Sequence, residues 1–153
     1  MLMPFIIVAI VSGPWLVAHL LGRLGVAHIA PRAAAQFGSV MAFLFFGLGH
    51  FIQTAEMIRL LPDFVPLRRE LVWATGLLEF AIALGLALPA TRRCAAGAAL
   101  AVLVLFFPAN IYGALTAAAY GGHAMGPVYL LVRVPLQLFL IGWVYRFAWS
   151  QRS

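Results

Sequence analysis

Glu79 lies inside a predominantly apolar run, Leu71 to Leu88, that is long enough to span a bilayer. A carboxylate at such a depth is costly to keep ionised, so it marks a functional site by default. His50, Gln53, Asn110, Arg133 and Gln137 also interrupt apolar runs, and Glu56 closes the run that carries His50. Three roles suit Glu79: a proton carrier, a counter-ion for a cationic ligand, or the partner of Arg133, with that pair ranked first. The carrier and paired roles imply opposite protonation states at neutral pH. His50 suits acid–base work or a hydrogen bond to a quinone headgroup, and it equally suits helix packing. His50, Glu56 and Glu79 do not read as a metal site, because no HxxxH or ExxH spacing occurs. Phosphate loops, nucleophile elbows and dinucleotide fingerprints are likewise missing from the sequence, so no catalytic residue is assigned.

The elements that must position these groups follow from composition. Hydrophobic residues make up 65% of the chain and charged residues 9%, and the mean hydropathy is +1.04. Those values place the chain among integral membrane proteins, with one small membrane domain over residues 1–153 and no soluble domain. The net charge is +6 and every basic residue outside the histidines is arginine. Because the arginines sit singly or in pairs beside apolar runs, they indicate topology control and contact with the lipid bilayer, not nucleic acid. Cys94 is the single cysteine, which excludes both an internal disulfide and CxxC redox chemistry and leaves a structural thiol.

Five runs are expected to form membrane helices, since a spanning segment must satisfy its own backbone. The first is Leu2 to Leu21, read as a retained helix because it lacks a basic leader and a small-residue cleavage site. A polar break from Gly22 to Gln36 follows. The second span is expected over Phe37–Glu56, the third over Leu71–Leu88, the fourth over Cys94–Ala119, and the fifth from beyond Gly126 to Trp149. Between the second and third, residues 57–70 include Leu61-Pro62-Asp63-Phe64-Val65-Pro66, whose prolines forbid a continuous helix and whose apolar members favour an interfacial elbow.

Five spans put the termini on opposite sides. With the amino terminus outside, the inner flanks hold Arg23, Arg32, Arg92, Arg93, Arg146 and Arg152, against Arg59, Arg68 and Arg69 outside. This surplus favours an outside amino terminus and an inside carboxyl terminus. Glu79 then lies roughly 12 Å from the outer start of its helix and Arg133 roughly 9 Å from the start of its own. His50, Gln53, Glu56, Asn110 and Gln137 fall in the same half, as an outward-facing polar pocket requires. Pro108 and Pro135 free carbonyls near this level, and Gly47, Gly49 and Gly76 allow neighbouring helices to approach closely there.

Several stretches carry a family likeness: Phe46-Gly47-Leu48-Gly49-His50-Phe51, Leu61-Pro62-Asp63-Phe64-Val65-Pro66, Thr75-Gly76-Leu77-Leu78-Glu79, Pro89-Ala90-Thr91-Arg92-Arg93, Phe107-Pro108-Ala109-Asn110-Ile111-Tyr112 and Arg133-Val134-Pro135-Leu136-Gln137. Together they resemble the DoxX-like family of small bacterial membrane proteins. The resemblance implies an all-α transmembrane bundle, with a four-helix core over residues 37–149 and one added N-terminal helix over 1–21. It also implies a location in the bacterial cytoplasmic (inner) membrane. Some named relatives accompany quinone-linked oxidation of sulfur compounds or amine-oxidising systems, and no site residue transfers from them.

Three functional classes follow. The bundle could be an accessory membrane subunit of a quinone-linked redox assembly, with no intrinsic cofactor, a quinone at the polar cluster, and electrons from a redox partner protein. It could bind or move a small amphipathic molecule or lipid, with Glu79 supplying charge recognition. Alternatively, the polar groups are packing glue in a non-catalytic assembly factor. A homo-oligomer fits all three.

Overall fold

The computed structural model of the chain describes residues 2–26, 29–116 and 123–150. Among these every regular element is a helix: α1 Leu2–Arg23, α2 Pro31–Ile52, α3 Thr54–Ile58, α4 Arg68–Ala87, α5 Arg92–Leu105, α6 Phe107–Leu115 and α7 Leu130–Val144. Two short 3-10 turns within His123–Tyr129, separated by a kink at Gly126 (φ 67°, ψ −153°), lead into α7, and a π-helical turn, Tyr145–Trp149, ends it. Five helical stretches are long and apolar enough to cross a membrane, the fourth formed by α5 with α6. This is a multi-pass membrane bundle. No more than 39% of any span is buried against the rest of the chain, and the outward surface presents residues such as Leu16, Leu77, Leu84, Leu131 and Leu138, as contact with lipid tails demands.

Element boundaries depart from the sequence expectation in several places. The second helix begins at Pro31, not Phe37, because proline suits the first helical position, where no backbone donor is needed. It ends at Ile52, not Glu56. Gln53 adopts φ −120° and ψ 35°, and the chain restarts as the short α3. The expected elbow over 57–70 thus begins inside α3 and ends in the first turn of α4. At its end, Leu67 sits at φ 50°, in the left-handed region. The fourth span is divided at Phe106, so that Pro108 falls in the first turn of α6, where its missing N–H costs least. Tyr120, and the end of that span at Ala119, lie outside the described residues.

The bundle closes around α2, which packs between α1 and α4; α5 lies beside α4, and α7 beside α5, α1 and α2. Small residues set the close crossings. A Cβ at Gly38 would fall 2.1 Å from the carbonyl oxygen of Val11, so α1 and α2 meet backbone to backbone. Ile7 and Val11 belong to one buried cluster with Phe43, Ile82, Leu86, Ala99, Leu140 and Val144. The first helix is therefore packed into the bundle. At the arginine-rich end, Gln36 Nε2 donates to the Phe147 carbonyl and Trp143 Nε1 to that of Ala35, tying α2 to α7 and its π-helical turn.

Candidate functional site: a buried histidine–glutamate pair

Helices α2 and α4 approach most closely where glycines face each other. A Cβ at Gly47 would stand 3.0 Å from the Gly76 carbonyl oxygen, and one at Gly76 would stand 2.7 Å from His50 Cβ. One turn beyond each glycine, the two helices present His50 and Glu79. Their Nε2 and Oε2 atoms are 3.2 Å apart, with side-chain exposures of 12% and 5%. Oε2 is buried and has no donor in hydrogen-bond alignment, so the contact is an oblique ion-pair approach.

The far side of the imidazole is fixed. Nδ1 lies 2.9 Å from the Val72 carbonyl oxygen, which can only accept, so Nδ1 carries a proton. Thr75 Oγ1 is 3.1 Å from the same nitrogen and donates to the Leu71 or Val72 carbonyl, leaving its oxygen lone pairs toward His50. With Nδ1–H committed, a neutral imidazole would turn a bare Nε2 lone pair toward Glu79. Two lone pairs at this separation repel, so one proton resides on the pair, either as imidazolium with carboxylate or as imidazole with carboxylic acid. Both arrangements are neutral overall. Burial of the pair is thereby tolerable in a membrane without a third charge.

Arg133 is near enough to act on Glu79 coulombically, yet the ion-pair partner of Glu79 is His50. Arg133 was expected to be the partner of Glu79; among the described residues the direct ion-pair contact is with His50, and Arg133 acts on the acid from farther off. Similar depth along the bundle does not decide which side chains face one another, and the glycine crossing turns His50 toward the acid.

The other expected site residues divide. Gln137 is buried and its Nε2 donates to the Leu103 carbonyl, joining α7 to α5 just before the break at Phe106. Asn110 is also buried, but its Nδ2 bonds the Phe106 carbonyl in the preceding turn. The Phe106 ring in turn lies 6.2 Å from the His50 ring. Gln53 and Glu56 are half-buried at the far end of α2 and in α3. Their side chains make no hydrogen bond or ion pair among the described residues, so the face shared by His50 and Gln53 ends at the helix break. Thr75 and Thr54 were not among the expected site residues. Thr54 Oγ1 donates to the His50 carbonyl at 2.6 Å and accepts from Trp73 Nε1 at 3.2 Å. Each threonine lies four residues from a member of the pair, and that spacing was the available signal.

Together the fold and the pair define an all-helical, multi-pass membrane protein with a proton-holding His–Glu site between two closely crossed helices. The chain belongs to the family described as Domain of unknown function (DUF8561), whose family model matches residues 40–148. That stretch contains both members of the pair and excludes α1. No curated protein and no solved structure matches the chain.

Proposed function

We propose that this protein is an accessory membrane subunit that binds a quinone headgroup at the His50–Glu79 pair and exchanges a proton with it. The observation that carries this reading is Glu79 Oε2: a buried acceptor without an aligned donor, beside an imidazole whose other nitrogen is already engaged. A buried polar atom in that condition calls for a partner, and a hydroquinone hydroxyl is a donor of suitable chemistry. Reduction of a quinone to its quinol takes up two electrons and two protons. The pair holds one of those protons, the aqueous boundary supplies the other, and a redox partner protein supplies the electrons, since a chain with one cysteine has no CxxC couple of its own. The resemblance to DoxX-like proteins, some of which accompany quinone-linked oxidation, supports the same assignment and with it a bacterial inner-membrane location.

A second reading has its own support. The Gly47–Gly76 crossing makes the pair a natural packing element, as in a non-catalytic assembly factor. Quantifying quinone in detergent-purified protein separates the two. Near-stoichiometric quinone in the wild type, lost in Glu79→Gln, supports the binding site. Background quinone in both proteins contradicts it and leaves packing.

A further inference from the structure

We infer that the arginine-rich end of the bundle carries a second, independent site, a cleft between the end of α1 and the start of α2 that takes the phosphate of an anionic phospholipid. The cleft measures about 460 Å³ and is lined by Ala18, His19, Gly22, Arg23, Ala30 and Pro31, among others. Arg23 makes no ion pair there. Among the described residues the two ion pairs are His50–Glu79 and Arg68–Asp63, and both lie away from this end.

Charge bookkeeping over the whole sequence sharpens the point. The four acidic side chains are Glu56, Asp63, Glu70 and Glu79, all carried by α3, α4 or the elbow between them. The other end gathers Arg23, Arg32, Arg92, Arg93 and Arg146 with no Asp or Glu among them. Arg92 is satisfied by the Leu86 carbonyl, Arg93 lies over the Trp149 ring and Arg146 over that of Phe147. Arg23 and Arg32 have none of these partners among the described residues, and of the two it is Arg23 that lines the cleft. Its guanidinium is exposed at the cleft and so is open to an anion from outside the chain.

The surroundings say which anion. Leu16, Val17 and Leu20 on α1, Leu24 just after it, and Ile29 before α2 are all about half exposed or more. A phosphodiester seated against Arg23 would have apolar surface beside it for its acyl chains, which free phosphate could not use. The surplus of arginines also repels the choline of a zwitterionic headgroup, so an anionic lipid is preferred. His19, stacked on Trp15 with ring centroids 5.4 Å apart, is held at the wall of the cleft as a second donor. The cleft residues, Ala18 to Pro31, all lie before the family match at residue 40, so this site does not depend on the reading of the His50–Glu79 pair.

The test is native mass spectrometry of the full chain released from bilayers of phosphatidylcholine with phosphatidylglycerol. The wild type is expected to retain phosphatidylglycerol over phosphatidylcholine, and Arg23→Gln to lower that retention about tenfold, as loss of one charge-assisted hydrogen bond to the phosphate would. Ala30→Trp, which fills the cleft and keeps the charge, is expected to lower it as well, with unchanged helicity by circular dichroism in phosphatidylcholine alone. Arg146→Gln removes a charge at the same end outside the cleft and is expected to leave retention intact. Equal losses in Arg23→Gln and Arg146→Gln would mean diffuse attraction and overturn the site. Retention of inorganic phosphate by the wild type, equal to that of phosphatidylglycerol and lost in Arg23→Gln, would overturn the lipid assignment in favour of a free anion.

Discussion

A methyl group placed on Gly76 would come within 2.7 Å of the Cβ of His50. The contact between α2 and α4 is therefore made at a separation that admits no side chain at residue 76, and the same crossing sets His50 against Glu79. Gly76→Ala is expected to force the helices apart, costing about 1–3 kcal/mol as overpacked sites do. Reversible unfolding in mixed micelles measures the loss, and a stability equal to wild type would show that the crossing is looser than described.

Substitutions in the pair should not be additive. His50→Leu leaves Glu79 buried without its partner and is expected to cost about 3–5 kcal/mol. Glu79→Gln should be mild, within about 1 kcal/mol, because an amide N–H can meet the bare Nε2. The double replacement by leucine should recover most of the His50→Leu loss. Arg133→Ala should cost less than His50→Leu, since Glu79 keeps its imidazole. Unfolding free energies of the four variants, with Glu79→Leu added to close the double-mutant cycle, read these differences, and equal costs for Arg133→Ala and His50→Leu would restore the arginine as the principal partner.

Much of this arrangement was legible in the residues. The five apolar runs foretold five spans, because a lipid-facing helix must be apolar along its length. Glu79 and His50 stood out for the same reason in reverse: a polar group is conspicuous where every neighbour is apolar. What could not be read was azimuth. Residue counting gives depth along a helix, and depth placed Arg133 and His50 on equal terms beside Glu79; only the mutual rotation of α2 and α4, set by Gly47 and Gly76, separates them. The break at Gln53 was hidden because no proline or glycine marks it. Thr75 was overlooked because a threonine in a membrane helix usually bonds its own backbone, as this one does while also meeting the imidazole.

Gln137 provides a check on the α5–α7 contact. Its amide donates to the Leu103 carbonyl just ahead of the Phe106 break. Gln137→Leu is expected to destabilise by about 0.6 kcal/mol, and by no more than about 1.7, the range of interhelical hydrogen bonds in membranes. A much larger loss would assign the side chain a role beyond that bond.

Leu67 offers the opposite sign. It holds a left-handed backbone at φ 50° while remaining 72% exposed, so its side chain brings little burial to offset the strain. Leu67→Gly is expected to raise stability by up to about 1 kcal/mol, the left-handed penalty of roughly 1–2 kcal/mol being partly cancelled by the entropy of glycine in the unfolded chain. Thermal unfolding in detergent measures it, and a lower midpoint would mean that the leucine side chain stabilises the elbow by more than the strain costs.

The most direct measurement is nitrogen-15 solid-state NMR of His50 in lipid bilayers, for the wild type and Glu79→Gln. Nδ1 should be protonated in both, held by the Val72 carbonyl, while the Nε2 signal should shift when the acid is replaced, because the proton it shares with Glu79 is removed. An unprotonated Nδ1, or an Nε2 signal indifferent to Glu79→Gln, would contradict the shared-proton pair on which this account stands.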